Sequence, residues 1–264
     1  MKIDRQSALQ AFNAYVSHYD IEKHMIRLKV EHTYRVAELC EQIARSLPLT
    51  EEEIDLAWLL GLLHDVGRFE QQKNYGTFND AISIDHAKYG TKLLFSDENA
   101  TISIRDFVKD SAEDETIRTA IYYHSAYRVP EELEERTAMF CHILRDADKI
   151  DILKVNVEFP LEEIYNVSTE ELYNCTVTPE VLSSFDEEHA VLRSLKKTPV
   201  DNVVGHISLV YELVYPVSLK IMVEQGYLEK IMDFKSWNPK TEQQFVHIRE
   251  TMRRFCDRAL AERG

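Results

Sequence analysis

Two ionisable residues, His64 and Asp65, interrupt an otherwise apolar stretch of the chain. Four leucines and a glycine precede the pair, and Val66 follows it. A run this apolar is typically buried, and burying both polar groups without partners would cost several kcal/mol. The fold must therefore bring further polar groups to His64 and Asp65 inside its core.

Composition and apolar spacing predict that this core is built from helices. The chain has 264 residues, of which 44% are hydrophobic, so it can bury a large core. It has only 7 glycines and 7 prolines, few for a β-sandwich or barrel with many tight turns. Apolar residues recur at helical spacings of three and four, as in Val36, Leu39, Ile43 and Leu47. We therefore predict an all-α fold.

Local signals place several helix boundaries. Thr50 and Glu53 predict a capping box, Thr178-Pro179 predicts a helix start, and Gly226 predicts a helix end. Residues 66–82 predict a loop, which is longer than loops usually are without a function. Further helices are expected near 84–96, 114–125, 131–153, 200–225 and 240–262.

The longest apolar stretch, Val203–Val223, predicts a kinked core helix with Pro216 in its middle. Its charged and polar residues would be costly in a membrane span: His206, Glu212 and Lys220. The N-terminus lacks the apolar run of a signal peptide. We therefore expect a cytoplasmic protein without a membrane partner.

The charge balance limits the partners that the protein can bind. Lys and Arg number 31 against 46 Asp and Glu, which gives a net charge of −15. A surface this acidic repels nucleic-acid polymers at long range. A small anionic substrate therefore needs a local source of positive charge, such as a metal ion.

Further polar residues interrupt apolar helix faces elsewhere in the chain. His124, for example, follows Ile117 and Ile121 at helical spacing. Imidazole nitrogens and carboxylate oxygens bind Mn²⁺, Fe²⁺, Zn²⁺ or Mg²⁺, and the cation offsets the cost of burying the carboxylates. We therefore expect a core metal site whose candidate ligands are His32, His64, Asp65, His86, His124 and either Asp148 or Asp146.

Three segments resemble the HD superfamily of metal-dependent phosphohydrolases, whose defining order is His, His-Asp, Asp. They are His32-Thr-Tyr-Arg-Val-Ala, Leu-Leu-His64-Asp65-Val-Gly and Ala147-Asp148-Lys149. The resemblance covers residues 32–148 and implies an HD-domain helical bundle. Periodicity leaves Asp146 open as the last ligand, while the Ala-Asp-Lys match favours Asp148.

The resemblance, together with the helical spacing that continues beyond it, predicts the organisation of the chain. We expect an HD-type metal-binding domain at residues 1–155 and a helical extension at 156–264, packed together as one structural unit. A homodimer is the default expectation for the oligomeric state.

Two further matches imply a second metal ion. Asp85-His86-Ala-Lys-Tyr-Gly90 is similar to the His-x-x-x-Gly of binuclear members, and Tyr122-Tyr123-His124 resembles their next histidine. Asp65 would then bridge an ion held by His32, His64 and Asp148 to a second ion held by His86 and His124. The Gly-Tyr-Pro element of the HD-GYP subgroup is absent, which argues against a cyclic dinucleotide substrate.

The implied activity is hydrolysis of a phosphate ester or nucleotide by metal-activated water, as a phosphomonoesterase or phosphodiesterase. Asp65 and Arg68 are the predicted catalytic residues, and Arg68 and Lys149 are predicted to bind the substrate phosphate because they adjoin ligands. The 66–82 segment would cover the site, with Tyr75 and Phe78 contacting a base.

Two other activities fit the same ligand pattern. Some HD proteins hold two irons that activate O₂, so a di-iron oxygenase is one alternative. A catalytically silent, metal-containing module that senses a ligand is the other.

Overall fold

The computed structural model describes residues 2–96 and 101–263, which form helices, turns and loops and contain no strand. The prediction of an all-α fold is confirmed. The chain divides into two compact units, Met1–Asp148 and Lys149–Gly264. The division falls inside one helix, and the predicted domain boundary at residue 155 lies further along that helix.

The first unit is built around a close pair of helices, one before and one after residue 50. In chain order its helices are α1 (Arg5–Val16), α2 (His24–Arg45), α3 (Glu51–Leu63), α4 (Val66–Tyr75), α5 (His86–Phe95), α6 (Ile104–Phe107), α7 (Asp114–Tyr123) and the first part of α8 (Glu135–Glu158). A Cβ on Gly61 would lie 2.5 Å from the Cα of Ala37. The backbones of α2 and α3 therefore touch, which brings His32 and His64 onto facing surfaces.

The start of α3 has the capping box that the sequence predicts. The Glu53 amide donates to Thr50 Oγ1 at 3.3 Å, and the Thr50 amide donates to Glu53 Oε2 at 3.0 Å. These bonds satisfy amides that have no partner inside the helix. The capped α3 then runs without interruption to the His64-Asp65 pair.

The prediction of a loop over residues 66–82 is wrong, because most of this segment is α4. Its Phe69 and Gln71 side chains are fully buried, so the helix packs inside the unit although its composition is polar. Gly76 ends α4 in the left-handed conformation, with φ of 65°. One turn of 3₁₀ helix, Asp80–Ile82, lies in the remaining connection to α5.

The second unit is also helical. After the end of α8 it contains α9 (Leu161–Tyr165), α10 (Thr169–Asn174), α11 (Pro179–Asp186), α12 (Val200–Ser208), α13 (Pro216–Gln225), α14 (Tyr227–Met232) and α15 (Pro239–Arg263). Thr178 and Pro179 begin α11, and Gly226 ends α13 with φ of 67°, as predicted.

The single kinked helix predicted over Val203–Val223 is wrong. The chain leaves α12 at Ser208, makes a 3₁₀ turn, and starts α13 at Pro216. Proline lacks an N–H and suits the first position of a helix, where that N–H would have no partner. Among the described residues no helix is both long and apolar enough to cross a membrane.

Candidate metal centre

Two of the predicted ligands, His64 and His124, occupy equivalent positions immediately after the last residues of α3 and α7. The Nδ1 atom of His64 lies 2.7 Å from the Gly61 carbonyl oxygen, and that of His124 lies 2.7 Å from the Ile121 carbonyl oxygen. A carbonyl oxygen can only accept a hydrogen bond, so Nδ1 carries the proton in each neutral ring. Each ring therefore keeps the Nε2 lone pair for a ligand.

The four buried histidines form two pairs that meet through Nε2. His32, on α2, lies 3.3 Å from His64 between Nε2 atoms. His86, the first residue of α5, lies 3.0 Å from His124 between Nε2 atoms. Since His86 and His124 both have an oxygen acceptor at Nδ1, their neutral forms direct two lone pairs at each other, an arrangement that a cation between them would stabilise.

Asp65 lies between the two pairs and presents one oxygen to each. Its Oδ2 lies 3.6 Å from His32 Nε2 and 3.5 Å from His64 Nε2. Its Oδ1 lies 3.3 Å from His86 Nε2 and 3.6 Å from His124 Nε2. The side chain is only 3% exposed, so this carboxylate is held inside the protein.

The structure brings Asp148 to the first histidine pair. Its Oδ1 lies 3.2 Å from His32 Nε2 and 3.8 Å from His64 Nε2. Asp146, the alternative from the sequence, is fully buried two residues earlier on α8. All six side chains that the sequence selects as candidate ligands therefore converge on one region of the first unit.

Burial and charge set the ionisation of the cluster. Burial lowers the pKa of His64 to about 4 and that of His86 to about 3, so both rings are neutral near pH 7. Burial acts to raise the pKa of Asp65, but the positive charges of Lys29 and Arg68 and the neighbouring histidines together outweigh it and hold this pKa well below its usual value. The cluster thus combines neutral imidazoles with an ionised carboxylate, which are the forms that bind metals.

The spacing of these atoms fits divalent ions. Ligands about 2.1 Å from one ion lie roughly 3.0–3.4 Å from each other, depending on the geometry. The shortest contacts within the two pairs, 3.3 Å and 3.0 Å, fall in that interval. The nitrogen and carboxylate donor set suits Mn²⁺, Fe²⁺ or Zn²⁺, and the carboxylates also suit Mg²⁺.

Two glycines allow the second histidine pair to approach Asp65. A Cβ on Gly67 would lie 2.2 Å from the His86 carbonyl oxygen and 2.8 Å from the Gly90 amide nitrogen. The start of α4 therefore touches the first turns of α5 through backbone atoms. This contact explains why residues 67 and 90 are glycines, since a side chain at Gly67 would collide with the backbone of α5.

Asp80 is a functional candidate that sequence reasoning missed. Its Oδ2 accepts from His86 Nδ1 at 2.8 Å, and its Oδ1 accepts from Arg68 at 2.8 Å and from Gln71 at 2.9 Å. A carboxylate behind a metal-binding histidine fixes the tautomer and orientation of the ring. Asp80 has no characteristic sequence spacing from the predicted ligands, so only its contact with His86 in the folded protein identifies it.

The predicted substrate cations have partners within the protein. Arg68 uses one terminal nitrogen for Gln71, the Phe78 carbonyl oxygen and Asp80, while its Nε lies 3.6 Å from Asp65 Oδ1. It thereby fixes the segment after α4 next to the centre. Its role in binding substrate stays a prediction.

Three more residues are predicted to contact the substrate. Lys149 is buried at the start of the second unit and donates to the Glu212 carbonyl oxygen at 3.3 Å. Phe78 is half-buried, and Tyr75 is 51% exposed at the end of α4. Their roles in binding substrate also stay predictions.

The fold and the donor set define an all-α protein with a histidine and aspartate centre suited to divalent cations. The family model for the HD domain matches residues 30–153, a range that includes all six candidate ligands. This region is an HD domain and belongs to the HD superfamily, whose members are typically metal-dependent phosphohydrolases. An HD domain implies divalent metal binding, and the clusters described above are compatible with it. No curated protein and no solved structure matches the chain.

Proposed function

We propose that this protein is a binuclear metal-dependent phosphohydrolase that acts on a small phosphate ester or a nucleotide. The observation that carries the proposal is the position of Asp65, whose Oδ2 faces His32 and His64 while its Oδ1 faces His86 and His124. A carboxylate with a histidine pair at each oxygen is suited to bridge two ions. Two bridged ions are the usual arrangement for in-line displacement at phosphorus.

Each residue of the centre has a distinct task in this proposal. Bound divalent ions supply a hydroxide near neutral pH and stabilise charge on a phosphoryl oxygen. Asp148 completes the ligand set beside His32 and His64, and Asp80 holds the His86 ring in orientation. Arg68 keeps the Asp80 segment in place and adds a positive charge near Asp65.

The charge at the centre supports an anionic substrate despite the acidity of the whole chain. Two divalent ions would bring four positive charges, whereas Asp65 and Asp148 together supply two negative ones. The net charge of −15 repels anions at long range, but solution screening confines that repulsion to about 10 Å at 0.1 M salt. A phosphate group at the ions would therefore meet a locally positive field.

The test combines metal content with phosphate release. Wild type, Asp65→Ala and the control Asp186→Ala are compared by elemental analysis, followed by a panel of phosphomonoesters, phosphodiesters and nucleotides with Mn²⁺. Asp186 is an exposed carboxylate of the second unit, paired with His247 at 2.7 Å. We expect two metal ions per chain and phosphate release in wild type and the control, and loss of both in Asp65→Ala.

Other outcomes would point to the alternatives. Two irons per chain with O₂ consumption and no phosphate release would favour an oxygenase. Tight ligand binding without turnover across the panel would favour a sensing module. Unchanged metal content in Asp65→Ala would contradict the binuclear site itself.

A further inference from the structure

Lys29 is a cation at the metal centre that the sequence analysis does not assign. Its Nζ lies 2.7 Å from Asp65 Oδ2, the oxygen that faces His32 and His64. It precedes His32 by three residues on α2, so both side chains project from the same face of that helix. The lysine side chain is 14% exposed, so it is less enclosed than that of Asp65, which is 3% exposed.

The ammonium group has hydrogen-bonding capacity to spare. A lysine ammonium carries three N–H donors, and in the described residues Asp65 is the partner that the structure gives it. The Phe78 ring centroid lies 5.3 Å from Nζ, which is a cation–π contact. This contact orients the side chain without supplying a hydrogen-bond acceptor of the usual strength. Lys29 is therefore held at Asp65 with donors available for an anion.

The two other cations that the sequence suggests donate to protein oxygens, although the buried Nε of Arg68 has no hydrogen-bond partner among the described residues. One terminal nitrogen of Arg68 has three acceptors, Gln71, the Phe78 carbonyl oxygen and Asp80. Lys149 donates to the Glu212 carbonyl oxygen in the second unit. Lys29 lies nearer to the central carboxylate, since its Nζ is 2.7 Å from Asp65 Oδ2 whereas Arg68 Nε is 3.6 Å from Asp65 Oδ1. This position favours Lys29 as the phosphate contact.

We propose that Lys29 binds a phosphoryl oxygen of the substrate and holds it beside Asp65. The inference rests on the proposed phosphohydrolase function and names the residue that recognises the phosphate. The Phe78 ring packs against the Lys29 ammonium group and keeps it directed at Asp65. Arg68 also lies against this ring, at 5.7 Å, and holds Phe78 in place by donating to its carbonyl oxygen. Lys29 thus contributes a charge-assisted hydrogen bond to the anion.

Inorganic phosphate, the expected product, is the probe that tests this assignment. Its affinity for the Mn²⁺-loaded protein is measured by calorimetry for wild type, Lys29→Gln, Lys29→Arg and the control Lys23→Gln. Lys23 is an exposed lysine at the N-cap of the same helix. We expect Lys29→Gln to weaken phosphate binding about 10- to 100-fold, as loss of a hydrogen bond to a charged group does. Lys29→Arg should retain most of the affinity, and the control should match wild type.

Bound metal, measured on the same samples, separates a phosphate contact from a group that merely supports Asp65. Lys29→Gln should keep the wild-type Mn²⁺ content. If it loses metal together with phosphate affinity, Lys29 acts through Asp65 and the proposal is wrong. Unchanged phosphate affinity in Lys29→Gln, or no phosphate binding by wild type, would also overturn it.

Parallel assays on p-nitrophenyl phosphate and bis(p-nitrophenyl) phosphate distinguish this proposal from the one on which it rests. Hydrolysis by wild type with phosphate affinity insensitive to Lys29 would leave the phosphohydrolase standing and remove the Lys29 assignment. Phosphate binding that depends on Lys29, without hydrolysis of any phosphoester, would support the Lys29 assignment and contradict the hydrolase.

Discussion

Gly67 is the position at which one added carbon should most disturb the metal centre. In Gly67→Ala the new Cβ would lie 2.2 Å from the His86 carbonyl oxygen and 2.8 Å from the Gly90 amide nitrogen. Both are backbone atoms, which cannot rotate away as a flexible side chain can. Favourable contact requires about 3.5 Å, so α4 and α5 must separate by roughly 1 Å. Because His86 begins α5, it would move away from Asp65.

The expected cost follows from this crowding. Overpacking a close contact typically costs about 1–3 kcal/mol, and the rigid partners place Gly67→Ala near the upper end. With a urea slope of about 3 kcal/mol/M, the unfolding midpoint should fall by about 1 M. Gly90→Ala should cost about 1 kcal/mol, since its nearest atoms lie at 3.1 Å and 3.3 Å and one belongs to the Val66 side chain.

Gly76→Ala is the matched control. Gly76 has φ of 65° but no atom within 4 Å of an added Cβ, so alanine there meets only backbone strain of about 1–2 kcal/mol. Urea unfolding and Mn²⁺ calorimetry are compared for the three variants. Gly67→Ala should be the least stable and should weaken Mn²⁺ binding, while Gly76→Ala should leave that affinity unchanged. The reasoning fails if Gly67→Ala is as stable as wild type or binds Mn²⁺ equally well.

Three other predictions concern separate parts of the molecule. Asp80→Ala removes the partner of His86 Nδ1 and should lower Mn²⁺ affinity at that histidine by about 10- to 100-fold, with Asp80→Asn intermediate; equal calorimetric affinities would contradict the orienting role. Thr50→Ala removes the α3 cap and should cost about 1 kcal/mol in urea unfolding without changing Mn²⁺ affinity. Burial lowers the pKa of Lys196 to about 8, below the value of about 10.4 in an unfolded chain. The unfolded state then binds more protons between these values, so wild-type stability should rise with pH across this window. Lys196→Met should lack that rise, and at pH 7 its free energy of unfolding should exceed that of wild type by up to about 3 kcal/mol. A difference in unfolding free energy that stays constant from pH 7 to pH 10 would refute this prediction.

The ligand cluster could be predicted because its members violate a local rule. Polar residues such as His64, Asp65 and His124 stand where helical spacing requires apolar ones, so the sequence demands that they find partners. The start of α3 follows from the capping box at Thr50, and the uninterrupted apolar run predicts that the helix continues to His64. These signals lie within a few residues of the feature that they predict, so they can be detected from the sequence alone.

The supporting contacts could not be predicted, because they join residues that have no fixed spacing. Lys29 and Asp65 are 36 positions apart, and a lysine on an amphipathic helix usually reads as a solvated residue. Asn74, Gly76 and Asn79 favour a loop over residues 66–82. In the folded chain the buried Gln71 of this segment instead donates to Asp80 and the Ile84 carbonyl oxygen. Tertiary hydrogen bonds of this kind satisfy a buried polar side chain, and no local sequence signal predicts them.

The two helices that end at His64 and His124 give the centre an electrical bias of its own. Each helix carries roughly half an elementary negative charge at its carboxyl end, where the peptide dipoles add. Because α3 and α7 both terminate at the histidine pairs, their backbones make the enclosed space attractive to a cation before any side chain is counted. Replacing one histidine by a neutral residue would remove a ligand but leave this field intact. The side chains therefore determine which ion binds, and the helix backbones add a negative potential that favours any cation at this position.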